Sequence, residues 1–182
     1  KYYFETDRSK LRMQETSTGQ VNFKELNLIQ NVLERQPLAQ KIPAERGSHG
    51  QTLLGRFLEA KNGKDINLPL GNNVVMDEDG RTILAAKNGQ VLLIGGKINV
   101  EPVMEVDEVS IKTGNIKYVG TVIVKKGVED GYSIEADGDI EVHGSVGSCN
   151  LKAGGNIIVQ SGIMGRDIGV IEAGKSLYAK FI

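Results

Sequence analysis

The feature that most constrains this chain is a short motif repeated in one direction through its last third. Gly114-Asn115-Ile116-Lys117-Tyr118, Gly138-Asp139-Ile140-Glu141-Val142, Gly155-Asn156-Ile157-Ile158-Val159 and Lys175-Ser176-Leu177-Tyr178-Ala179 each run from a turn through a small polar residue into alternating apolar positions. Three of the four are preceded by a second alternating pair, Ile134/Ala136, Leu151/Ala153 and Ile171/Ala173, whose first member lies six residues before the residue that opens the next run. A sandwich joins hairpins of unrelated sequence, whereas one motif recurring in one direction calls for parallel stacking, each repeat covering its neighbour. In-register rungs then place Ile116, Ile140, Ile157 and Leu177 in one interior column and Tyr118, Val142, Val159 and Ala179 in the next. These openings are 24, 17 and 20 residues apart, a slack that a coil absorbs in its surface turns. Rungs of about 18 residues give about four coils, a stack about 19 Å long. The expected architecture is a parallel β-helix over residues 101–182, right-handed, and truncated at its C-terminal end.

The rest of the chain is read as a β-rich module over residues 1–100. Glycine marks its turns: the chain holds 23 among 182 residues, spaced between short Val/Ile runs rather than gathered in a linker-like tract. Asn73–Met76, Arg81–Ala86, Gln90–Ile94 and Lys97–Val100 alternate with Asp77-Glu78-Asp79-Gly80, Lys87-Asn88-Gly89 and Gly95-Gly96. Asp-Gly and Asn-Gly accept the positive φ of two-residue hairpins, so an antiparallel meander is expected to feed the coil. Upstream, Phe23, Leu26, Ile29 and Leu33 have helical spacing ended by Pro37 and Pro43, which suggests one short helix.

Composition narrows the function. Lys plus Arg total 22 against 23 for Asp plus Glu, with no long charge block, a balance that points away from nucleic acid and from an anionic membrane. A single cysteine, Cys149, makes no internal disulfide framework and fits a reducing compartment. No apolar run approaches the roughly 18 residues of a membrane-spanning helix. The chain starts without Met and ends inside an alternating run, Leu177 to Ile182, so it reads as a piece of a longer protein. With no cap after that run, the coil is expected either to continue or to be completed by another chain. A two-fold pair is the simplest homo-oligomer, because an isologous contact closes.

Candidate chemistry is sparse. Gly50-Gln51-Thr52-Leu53-Leu54-Gly55-Arg56 approaches a phosphate loop but offers Arg56 and Phe57 where the loop needs Lys and then Ser or Thr, so Gly47, Gly50 and Gly55 are assigned to turns. His49, His143 and Cys149 have no zinc-ligand spacing; His143 is expected to point outward, and Cys149 to be a small semi-buried residue. Asp77, Glu78 and Asp79 lack the remaining ligands of a calcium loop and are read as a hairpin turn. β-Helices also carry polysaccharide-cleaving carboxylate clusters, for which Glu135, Glu141 and Glu172 are the candidates here. Glu135 and Glu172 share a rung position with Lys152, so a mixed-charge ladder is the preferred reading. No catalytic, cofactor-binding or metal-binding residue is assigned, and the chain is expected not to be an enzyme. Other proteins are the expected partners. A carbohydrate- or small-ligand-binding β-helix, its ligand in a cleft between the modules, is the alternative.

From residue 42 onward the chain resembles the bacterial flagellar assembly protein A family. The likeness is carried by Lys41-Ile42-Pro43 with Gly47 and Gly50, Gly63-Lys64-Asp65, Gly71-Asn72-Asn73-Val74, Asp79-Gly80, Gly89-Gln90-Val91, Gly114-Asn115-Ile116 and Gly138-Asp139-Ile140-Glu141-Val142-His143-Gly144. It continues through Ala153-Gly154-Gly155-Asn156-Ile157, Gly162-Ile163 and Tyr178-Ala179-Lys180-Phe181-Ile182, and residues 20–41 fit more loosely. The resemblance implies a cytoplasmic protein with a β-helical centre, linked to assembly of the flagellum or its polar placement, and brings no catalytic motif. One departure is Lys175, which stands where Gly138 and Gly155 would supply a left-handed turn.

Overall fold

Period-two alternation between turn residues produces seventeen strands and no helix among the described residues, which in this computed structural model are 1–7, 29–165 and 168–182. The first part is antiparallel except for one isolated parallel bridge, Leu70–Ile98. β1 (Asn31–Val32), β2 (Pro37–Gln40), β3 (Gly50–Gln51), β4 (Phe57–Leu58), β5 (Val74–Met76), β6 (Thr82–Ala85), β7 (Gly89–Ile94) and β8 (Lys97–Glu101) form two three-stranded sheets, β2-β6-β5 and β1-β7-β8, and a separate β3–β4 hairpin. Val32, Leu38, Ile83, Val91, Ile98 and Val100 are among the buried residues of their shared core.

Two expectations for this part need correction. The four runs make two hairpins in different sheets, not one meander, because β6 pairs with β2 and β5 while β7 pairs with β1 and β8. Lys87-Asn88-Gly89 is therefore not a hairpin turn; the Asn88 carboxamide instead accepts a hydrogen bond from the Glu34 N–H at 2.7 Å. Gly95 and Gly96 are the true tight turn, both at positive φ (58° and 76°), as a two-residue hairpin of this hand requires. The short helix is the second correction. Phe23 and Leu26 lie outside the described residues, while near Ile29 and Leu33 the chain is extended, with Asn31 and Val32 paired antiparallel to Gln90 and Gly89. Tertiary pairing overrides a weakly helical pattern there.

From residue 103 the strands are parallel. β9 (Val103–Val106), β11 (Thr121–Val124), β13 (Ile140–Val142), β15 (Ile157–Gly162) and β17 (Leu177–Phe181) make a five-stranded sheet, which alternates along the chain with a four-stranded sheet of β10 (Ile116–Tyr118), β12 (Ser133–Ala136), β14 (Asn150–Ala153) and β16 (Val170–Ala173). A third side is reduced to one bridging residue per coil, Val109, Val128, Val146 and Ile163. The result is a three-sided β-solenoid of about four coils with an apolar core running from Ile116 and Val122 to Ile157 and Val159.

The two inward columns each differ from the expected ones at one position, Ile116 and Tyr118. Ile140, Ile157 and Leu177 do stack, but the column continues to Val122 and Met104 rather than to Ile116. Ile116 belongs to the other sheet, with Ile134, Leu151 and Ile171, and Tyr118 stacks with Ala136, Ala153 and Ala173. Met104, Val122, Ile140, Ile157 and Leu177 are spaced by 18, 18, 17 and 20 residues, so the anomalous spacing of 24 was the mark of a mismatched pair. The six-residue offset holds at Ile116 and Val122 as well.

The glycines of the repeat serve close packing. Of the aligned turns only Gly114 has positive φ, at 70°. At Gly155 a Cβ would stand 2.1 Å from an Asp139 carboxylate oxygen, and at Gly138 one would stand 2.8 Å from the Gly120 carbonyl. Lys175 therefore replaces no left-handed residue; the expected left-handed turn at Gly138 and Gly155 does not exist.

Candidate functional surfaces

Each side chain weighed for chemistry has a structural position. Cys149 is buried immediately before β14, more completely than expected, and burial with the nearby Asp130 charge pushes its thiol up to about 11. A thiol held neutral in that way is a poor nucleophile. His143 points outward, its Nε2 3.0 Å from the Glu141 carboxylate, which also accepts from the Gln160 amide at 3.0 Å. His49 accepts the Ala60 N–H at Nδ1 (3.0 Å) and lies against the Phe57 ring, 4.9 Å between centroids. The three residues lie on different elements and do not converge.

The carboxylates are likewise committed. Asp79 closes the β5–β6 hairpin, accepting the Arg81 and Thr82 N–H groups and the Thr82 hydroxyl at 2.7 to 2.9 Å. Those bonds, led by the one from Arg81, hold its carboxyl below the ordinary range. Glu135 and Glu172 fall in one outward column with Lys117 and Lys152 between and before them, giving the order Lys117, Glu135, Lys152, Glu172. Lys117 reaches Glu135 at 3.1 Å and Lys152 reaches Glu172 at 3.6 Å. Glu141 sits on the other sheet, between Ile123 and Ile158. This alternation fixes rung register, since a slip by one rung would set like charges together. Sheet register explains why the carboxylates do not cluster.

The segment around the false phosphate loop is a projecting arm. Its base is tied by Lys41 Nζ to Asp65 at 2.7 Å, its shaft by the Gly63 N–H to the Glu45 carbonyl at 2.9 Å, and its end by the β3–β4 pairing. Gly55, φ 78°, turns the tip, where Leu53 and Leu54 are fully exposed. Sequence reasoning took this stretch for turns and missed the arm, whose cross-strand ties are a Lys–Asp pair 24 residues apart and backbone contacts without periodicity.

A groove of about 540 Å³ runs past Glu108, Glu129, Asp130, Ser145 and Met164 on the reduced third side, and another of about 620 Å³ lies beside Tyr132, Ser148, Cys149 and Ile168. Asp130 there is bonded to the Ser148 N–H at 2.7 Å. Among the described residues no group of three or more His, Cys, Asp or Glu could hold a metal ion, and no helix is long and apolar enough to cross a membrane.

Two family models match the chain. Residues 1–96 match the N-terminal region of Flagellar Assembly Protein A and residues 102–182 match its beta solenoid domain, with β8 between the two. The match thus reaches upstream of residue 42, to the start of the chain. No curated protein and no solved structure matches it.

Proposed function

Because the chain belongs to the flagellar assembly protein A family, we propose that it acts as a cytoplasmic, non-catalytic scaffold in assembling or placing the flagellum. The supporting observation is the form of the solenoid: an apolar interior closed inside flat sheets whose outer faces carry stacked, paired charges such as Lys117, Glu135, Lys152 and Glu172. A rigid stack of this kind holds flanking parts of a protein apart and offers partners a surface of fixed charge spacing. Self-association through β17, the outermost strand of its sheet, belongs to the same reading, with a two-fold pair the closed form. Light scattering on this chain tests that step: a pair that forms with rising concentration is expected, and a strictly monomeric chain at high concentration would remove β17 from that role.

Complementation tests the scaffold. In a flagellated host lacking its own copy, the parent chain should restore flagella. The double variant Glu135→Lys, Glu172→Lys, checked for parent-like circular dichroism, should restore fewer. Parent-like flagellation by the folded face variant would remove the four-stranded face from the binding role.

A further inference from the structure

A parallel strand directs the hydrogen-bonding groups of alternate residues to opposite sides. In β10, the Tyr118 carbonyl faces the next coil and accepts the Asp137 N–H at 3.0 Å. The Lys117 carbonyl and the Val119 N–H face the other way, where among the described residues no strand precedes β10 in this sheet. Both are taken by one side chain: Asn31 Nδ2 donates to the Lys117 carbonyl at 3.0 Å, and Asn31 Oδ1 accepts the Val119 N–H at 3.4 Å. A single carboxamide supplies the donor and the acceptor that a strand would supply.

The flanking residues extend the pattern. Ile29, two positions earlier, packs on the solenoid core. Gln30 repeats the carboxamide contact toward the N-terminal segment, accepting the Glu5 N–H and donating to the Glu5 carbonyl, both at 2.8 Å. Its own carbonyl accepts the Val91 N–H at 3.0 Å, tying the segment to β7. Across the same junction the Tyr118 hydroxyl donates to the Glu101 carbonyl at the end of β8. Within the solenoid, side-chain oxygens do similar work between coils: Asn115 accepts the Ser133 N–H at 3.0 Å, Asp130 the Ser148 N–H at 2.7 Å and Asp139 the Asn156 N–H at 2.6 Å.

We propose that Ile29-Gln30-Asn31 is a two-sided clasp, a rung made of side chains, that caps the first coil and couples the antiparallel part to the solenoid so that the two unfold together. Its basis is the junction geometry alone, independent of the assembly role. Such a device is needed because the two parts have separate cores, and an uncapped first coil would fray.

Asn31→Ala in the full 182-residue chain tests it by amide exchange and thermal melting, with the Val122 N–H, bonded to the Asp139 carbonyl inside the coil at 2.9 Å, as the internal reference. The parent should melt in one transition. The variant should exchange Val119 about fivefold faster with Val122 unchanged, and its melt should split in two. Val119 and Val122 accelerating together would mean a general loss of stability, and parent-like rates would mean that Asn31 clasps nothing; either result overturns the proposal. Should Asn31→Ala not fold, Asn31→Asp keeps the acceptor for Val119 and sets a carboxylate against the Lys117 carbonyl. A split melt is again expected there, and one transition refutes the clasp.

Discussion

The solenoid and the antiparallel part are built from the same strand vocabulary, yet they use it to different effect. Among the described residues the solenoid buries seventeen apolar side chains in one cluster, whereas the antiparallel part, with as many strands or nearly so, buries eight. The solenoid achieves this because every strand has the same neighbour relation one coil away, so each inward residue contacts its equivalent above and below. The antiparallel part divides its strands among two small sheets and an arm, and leaves Leu53, Leu54, Phe57 and Leu58 exposed. Repetition makes a core out of short strands; irregular pairing spends them on edges.

The hardest blow to this contrast is a charge inside the coil. Ile157 is fully buried between Ile140 and Leu177, so Ile157→Lys should cost several kcal/mol and collapse the stack. Ile83→Lys, equally buried in the other core, should lower the coil's amide protection too while the clasp holds, and should spare it once Asn31→Ala has uncoupled the two parts. Circular dichroism melts with exchange readout compare the two, and a parent-like melt for Ile157→Lys would mean that the inward column is misassigned.

A milder probe of the same interior is pH. Burial raises the Cys149 thiol from 9.0 to about 11, so the folded state favours the neutral form; its stabilising effect is complete below the unfolded pKa and is lost as pH rises through 9 toward 11. The unfolding free energy from denaturant curves should fall over that window by up to about 2 kcal/mol, and Cys149→Ala should flatten the dependence. An unchanged slope in the alanine variant would assign the loss to other groups.

Smaller still are the surface effects. Glu135→Lys puts three like charges in a row in the outward ladder and should cost about 0.5 to 1 kcal/mol, less at high salt, with Lys117→Glu restoring part of it. At the arm tip, Leu53→Ser with Leu54→Ser removes side chains already in solvent and should change stability by less than about 0.5 kcal/mol. A larger loss at the tip would show that the arm packs on something in solution, and would narrow the difference between the two regions.

Much of the solenoid was legible because its information is local and repeated: the six-residue offset between Ile134 and Ile140, Leu151 and Ile157, and Ile171 and Leu177 is about one short strand with the corner that follows it. The mixed-charge ladder was legible for the same reason. The misplaced run of the solenoid, Ile116 and Tyr118 set beside Ile140 and Val142, arose because both sheets present the same turn-polar-apolar pattern, which does not say which sheet a run joins. Only the paired register, Ile116 with Ile134 and Val122 with Ile140, separates them. In the antiparallel part the sequence specified hairpins from their turns, as at Gly95-Gly96, but partner choice between hairpins rests on contacts tens of residues apart. The clasp lay beyond sequence reading altogether. Asn31 contacts Lys117 across 86 residues, and a carboxamide standing in for a strand has no periodic signature, because the groups it satisfies exist only once β10 has formed an edge.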